Sequence, residues 1–160
     1  MIARKIGTLA LSICIALLAL GALASLPADR DEDAVRALVP KIIGAWGSLN
    51  ISNVDPYYAT DADFAYFDIA PMKYNNWAEY RQGVQKAFFD PNQSLKATVT
   101  DLRVHARGSL AWATFIAGLD ITPKQGNPSH LDARWTMVLE KRAKGWIVVH
   151  EHVSAPLGGS

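Results

Sequence analysis

The feature that most constrains this chain is a change of hydrophobic period at Pro91. Before it, apolar residues recur at helical spacing; after it, they alternate. In "DEDAVRALVPKIIGAWGSLN", residues 31–50, Val35, Leu38, Val39, Ile42, Ile43 and Trp46 form one stripe. Acids crowd the first turn, where the helix dipole favours them. Pro40 lies within the stripe and lacks an amide hydrogen, which predicts a kinked helix rather than two helices. "SNVDPYYATDA" predicts a second, short helix capped by Ser52 or Asn53, and "DFAYF", residues 63–67, a brief strand. "NNWAEYRQGVQKAFF" predicts a third helix, with Asn76 and Glu79 at capping-box spacing.

Beyond Pro91, "SLKATVTDLRVHARG" alternates in two registers: Leu95, Ala97 and Val99, then Leu102, Val104 and Ala106. A slip of one residue near Thr100 and Asp101 predicts a β-bulge in a long, bent strand. "SLAWATFIAGLDI", "SHLDARWTMVLEK" and "GWIVVHEHVSAP" predict three more strands. Three helices with one early strand, then four consecutive antiparallel strands, imply an α+β fold. Bulged strands bend such a sheet strongly, and helices packed on its concave face leave a cavity between the layers.

The N-terminus sets the expected compartment. Arg4 and Lys5 precede "IGTLALSICIALLALGALA", and Ala22-Leu23-Ala24 places small residues where a signal peptidase reads. This predicts a signal peptide over residues 1–24, an exported protein and no membrane attachment once it is cut. An uncleaved membrane anchor is the alternative, because the apolar run is nearly long enough to cross a bilayer. Cys14, the only cysteine, falls inside the predicted signal peptide, so the mature chain must rely on a packed core without disulfides. The expected organisation is a short leader at 25–30, one domain at 31–157 and a tail at 158–160. Losing Arg4 and Lys5 shifts the formal charge from +1 to −1, and the remaining cations are scattered, which excludes a nucleic-acid-binding surface.

The helix–helix–strand–helix opening, the long bulged hairpins and the ending "GWIVVHEHVSAP" together resemble the SnoaL-like members of the nuclear-transport-factor-2-like superfamily. The closing strand also resembles the association domain of calcium/calmodulin-dependent protein kinase II, which ends in a similar Trp, His-x-His, Ser and Pro series. The resemblance implies a cone-shaped α+β barrel, commonly dimeric, with a pocket between the concave sheet face and the helices. Ketosteroid isomerases of this superfamily carry an Asp base just after the first strand, and Asp68 falls within a residue or two of that place. The sequence has no acid in "RWTMV" to match their second carboxyl, and their oxyanion tyrosine would fall near Ile42. The arginines that line the kinase domain's pocket are replaced at about Ile116, Met137 and Val153.

Strict alternation splits the last strand into two faces. Ile147, Val149, Glu151 and Val153 share one, and Trp146, Val148, His150 and His152 the other. The first face is the more apolar and is expected to face the cavity, with Glu151 as a candidate acid or base; a solvated strand end is the alternative. Asp68 is either a general base at the pocket mouth or the start of the turn "DIAP". Tyr66, Trp112 and Trp135 are candidates to line a site for a flat apolar ligand, or plain core. His150 and His152 lie side by side on the outer face, where a structural or interface role is expected rather than a metal site, since no third ligand is fixed there. A homodimer interface is expected around Trp146, Val148 and His152, with Arg134 and Thr136 beside them.

No glycine-rich phosphate loop, nucleophile elbow or zinc signature is present, so neither a metal nor an organic cofactor is expected. Three functional readings stay open. One is a cofactor-independent isomerase or lyase acting on an apolar carbonyl or hydroxyl compound by proton transfer. The second is a binding protein for a small apolar or aromatic ligand, and the third is a dimeric assembly module.

Overall fold

The computed structural model describes residues 27–61 and 63–156. The predicted signal peptide, Ser25 and Leu26 of the short leader and the whole of the tail lie outside these. Helix α1 spans Pro27–Gly47 and runs unbroken through Pro40, starting four residues before Asp31, where the sequence pattern begins. Its stripe of Val35, Val39, Ile42, Ile43 and Trp46 is buried against the sheet. Helix α2, Ile51–Val54, is capped by Asn50, whose side chain accepts from the Ser52 amide at 3.1 Å, rather than by Ser52 or Asn53. A 3-10 turn follows at Asp55–Tyr57.

The expected strand at 63–67 shrinks to β1, Tyr66–Phe67, which hairpins onto an unforeseen β2, Lys73–Tyr74. Helix α3 spans Trp77–Val84 and ends in a π-helical turn, Gln85–Phe89. Asn76 caps it by accepting from the Glu79 amide at 2.9 Å, and Glu79 in turn accepts from the Asn75 amide at 2.9 Å.

Four long strands complete the chain: β3 at Asn92–Arg107, β4 at Leu110–Pro123, β5 at Ser129–Arg142 and β6 at Gly145–Ser154. They pair antiparallel in sequence order as expected, but the sheet as a whole is mixed. Strand β1 joins β6 in parallel, giving the order β2-β1-β6-β5-β4-β3. The predicted slip in β3 is there: the pairing with β4 shifts between Thr100 and Arg103. Asp101 takes up the extra residue at φ 49°, a left-handed conformation that Asp tolerates better than most residues.

Helix α1 lies on β3 and β4. The inward positions there include Ala106, Ala111, Ala113 and Ala117, all buried. Small side chains let the helix approach the sheet closely at that end. At the other end the bulkier inward Trp135 of β5 packs against Trp46 of α1, with Met137 of β5 buried beside it. The site lies there.

Candidate functional site

Strand β6 delivers one carboxylate to the interior. On β5, Trp135, Met137 and Leu139 alternate onto the buried face, and their partners on β6 are Val153, Glu151 and Val148. Val149 is the extra residue of a bulge, since Val138 pairs with His150 and Leu139 with Val148. The parity read from the sequence therefore holds for Glu151 and Val153 and slips upstream. Val148 is inside and fully buried, so it cannot belong to an outer interface, and Trp146 packs against the core.

Glu151 is fully buried with no cation beside it among the described residues, and its oxygens are met by three donors. The Tyr58 hydroxyl donates to Oε2 at 2.6 Å and the Trp135 indole to the same oxygen at 3.1 Å. The Tyr80 hydroxyl donates to Oε1 in a short bond. Behind them, the Trp46 indole donates to Tyr58 Oη at 2.9 Å. Burial outweighs these donors and pushes the Glu151 carboxyl up to about 7, with the charge of Asp68 adding in the same direction. Tyr58 and Tyr80 are both raised well above a free phenol, first by burial and then by the charge of Glu151.

Next to this network is a cavity of about 310 Å³. Trp46, Tyr80 and Trp135 form the wall toward Glu151, while Phe88, Leu119 and Val153 are among its apolar lining. Among the described residues Asp68 is the one charged side chain in the wall, and Ile69 and Ala70, both exposed, mark the rim. Asp68 Oδ1 accepts from the Ile69 amide at 2.7 Å, yet burial still raises its carboxyl above the ordinary range. The cavity thus offers an apolar, aromatic-rich surface with a single carboxyl group among the described residues. Glu151 stands behind Tyr80 and Trp135 and does not line it.

The residues singled out from the sequence therefore separate. Asp68 and Trp135 reach the cavity. Tyr66 is buried and stacks on Tyr80 at 5.1 Å, but it does not line the cavity. Trp112 is on the opposite sheet face, 40% exposed and beside His105, because β4 turns its alanines and Phe115 inward. His150 bonds the Ala65 carbonyl through Nδ1 at 2.6 Å, and the exposed His152 packs edge-on to Phe67. Among the described residues no group of three or more His, Cys, Asp or Glu side chains could hold a metal ion. Among the same residues no helix is long and apolar enough to cross a membrane. Sequence reasoning singled out none of Tyr58, Tyr74 and Tyr80 for the site; the signal was that buried phenols and indoles need acceptors.

Comparison with known structures places this geometry. A nuclear transport factor 2-like superfamily protein from Salmonella enterica serovar Typhimurium superposes with a TM-score of 0.74 at 13% identity, covering 82% of this chain and 95% of that one. A candidate calcium/calmodulin-dependent protein kinase II association domain from Xanthomonas campestris gives 0.70 at 24% identity, covering 85% and 95%. A candidate dehydratase of the same family from Streptomyces avermitilis gives 0.72 at 16% identity, covering 81% and 99%. No curated protein matches the sequence significantly. Residues 35–158 match the sequence profile of the SnoaL-like domain, and the chain, whose fold is that of the nuclear transport factor 2-like structures, belongs to the SnoaL-like family.

Proposed function

We propose that this chain is an exported protein that binds a small apolar or aromatic molecule in the cavity between its helices and sheet. The observation that carries the reading is the cavity itself: about 310 Å³, walled by aromatic and aliphatic side chains, with Asp68 as its one charged group among the described residues. That volume and lining suit a ligand of one or two rings. Trp46 and Trp135 stand in the wall, so a bound chromophore quenches their fluorescence. The test is a titration with 1-acetonaphthone, with Ala97→Phe as the control, since Ala97 lines the cavity and a phenyl ring there fills it. Saturable quenching in the wild type and its loss in a folded Ala97→Phe variant support the reading. Equal quenching in both overturns it.

A second reading is favoured by the raised carboxyl of Asp68. A carboxylate of elevated basicity in an apolar wall is suited to take a proton from the carbon next to a ligand carbonyl. The C–H electron pair passes to the enolate, and the proton returns at another atom. This chemistry needs no cofactor. Its test is exchange of the α-hydrogens of an aryl ketone with deuterated solvent, which Asp68→Asn abolishes if the reading holds.

Export rests on the basic, apolar and small-residue order of residues 1–24. Intact mass of the exported protein starting at Ser25 supports it; full-length mass in the membrane fraction overturns it. Dimerisation is part of the same reading, through the exposed outer sheet face that carries Trp112, Arg134 and His152. Light scattering tests it, and a clean monomer at micromolar concentration counts against it.

A further inference from the structure

Asp68 is held in place but has no counter-charge. Its amide donates to the Met72 carbonyl at 3.4 Å, closing the β1–β2 turn, and its Oδ1 accepts from the Ile69 amide at 2.7 Å. Its Oδ2 makes no hydrogen bond among the described residues and keeps accessible surface, since the residue is only half-buried. Asp31, Asp55 and Asp61 each meet a Lys or Arg, whereas Asp68 has no ion pair among the described residues. An open carboxylate oxygen is thus part of the wall of an apolar cavity.

The surroundings of Asp68 are negative as well. Tyr74 of β2 and Tyr80 of α3 line the same cavity with ring centroids 4.9 Å apart, and the wall continues from Tyr80 to Trp46 at 5.7 Å and from Trp46 to Trp135 at 6.3 Å. The ionisable groups on which the Asp68 charge acts are Tyr74, Tyr80 and Glu151, all of them acids. Among the described residues no Lys, Arg or His lines the cavity. Aromatic faces and carboxylates both favour positive charge, and nothing in the wall supplies it. A ligand anion is repelled, and a neutral ligand that displaces water leaves the carboxylate unpaired. An ammonium group pairs with it, while Leu119, Leu131 and Val153 receive the apolar remainder of the molecule.

We propose that this cavity selects a primary ammonium carried on an apolar, ring-sized body, with Asp68 Oδ2 accepting a hydrogen bond from the ammonium and the aromatic wall holding the body. This rests on the ligand-binding reading above and names the charge class of the ligand. The consequence is discrimination between molecules of one shape that differ in a single positive charge.

Two isosteric probes test it by tryptophan quenching at pH 8: protonated 1-(aminomethyl)naphthalene and uncharged 1-ethylnaphthalene. The wild type is expected to bind the amine about tenfold more tightly than the hydrocarbon, the worth of one hydrogen bond between charged groups. Asp68→Asn keeps an acceptor for the Ile69 amide and removes the charge, so it should erase the preference by weakening the amine. Its retained affinity for the hydrocarbon shows that the cavity is intact. Ala97→Phe, which fills the cavity, should abolish binding of both probes. If the hydrocarbon binds and the amine binds no better, the inference falls and the ligand-binding reading stands. A preference that survives Asp68→Asn, or amine binding that survives Ala97→Phe, also overturns it. Failure of both probes and of 1-acetonaphthone to bind overturns the ligand-binding reading and this inference with it.

Discussion

Tyr58 and Glu151 are 93 positions apart in the sequence and 2.6 Å apart in the fold. Their hydrogen bond is one of three that converge on a single buried carboxylate from the helical layer and from β5. Such a carboxylate ties the helices to the sheet, and its protonation state bears on the stability of the whole cone. It also sits directly behind the aromatic wall of the cavity.

The first prediction is a pH dependence of stability with a defined sign. Burial holds the Glu151 carboxyl up to about 7 in the folded chain, whereas an unfolded chain titrates it near ~4.3. The folded state therefore holds the proton more tightly. The stabilisation is complete below the unfolded value and is lost as pH rises through about 7. Glu151→Gln has no proton to lose there. Urea denaturation at pH 5 and pH 8 should show the wild type losing on the order of 3 kcal/mol more than the variant. Identical losses in the two proteins would sink the assignment.

A second prediction follows from the donors. The Tyr58 bond favours the ionised form of Glu151, so Tyr58→Phe should raise that carboxyl further. It also leaves the Trp46 indole without its acceptor at any pH. The variant is expected to be destabilised at both pH 5 and pH 8, by about 1 kcal/mol more at pH 8, because a bond to a charged group is worth more than a neutral one. The comparison is made by denaturant midpoints, and a larger loss at pH 5 would contradict it.

Much of this fold was legible because hydrophobic period is a strong local signal. The bulge at Asp101 showed itself as a phase slip between polar and apolar positions, and the structure has it there. The bulge at Val149 left no such trace, because Val148 and Val149 are both apolar and either could face inward. Trp112 misled for a related reason. On β4 the inward face is carried by Ala111, Ala113 and Ala117 against α1, so the largest side chain was not the core residue. The partners of Glu151 lay beyond local reading, since Tyr58, Tyr80 and Trp135 come from separate elements and only the fold brings them together. The short β1–β2 hairpin was half seen, because two-residue strands carry no period.

A third prediction concerns Gly83. Alanine is the better helix former by about 1 kcal/mol, yet its Cβ would collide with the ring and hydroxyl of Tyr74. Gly83→Ala should therefore destabilise the protein by about 1–3 kcal/mol, the usual range for overpacking. In a Tyr74→Leu background the obstructing atoms are gone, and the same change should be neutral or stabilising. A double-mutant cycle on thermal or urea unfolding measures the coupling. Equal effects of Gly83→Ala in the two backgrounds would reject the contact.

The last prediction joins Asp68 to ligand binding. An ionised Asp68 in an apolar wall depends on water reaching it through the cavity, and a ligand that fills the cavity removes that water. A neutral ligand should therefore prefer the protonated carboxyl, and burial already lifts Asp68 toward that form. Affinity for 1-acetonaphthone is expected to fall about threefold or more as pH rises through the elevated range of this carboxyl. Asp68→Asn should keep the affinity seen at low pH and lose the dependence. Glu151→Gln separates the two carboxylates: Glu151 lies behind Tyr80 and Trp135, out of ligand contact, so that variant should retain the fall. Titrations at pH 5 and pH 8 on the three proteins decide the matter. A profile that survives Asp68→Asn and disappears in Glu151→Gln would move proton linkage from the cavity wall to the buried network behind it.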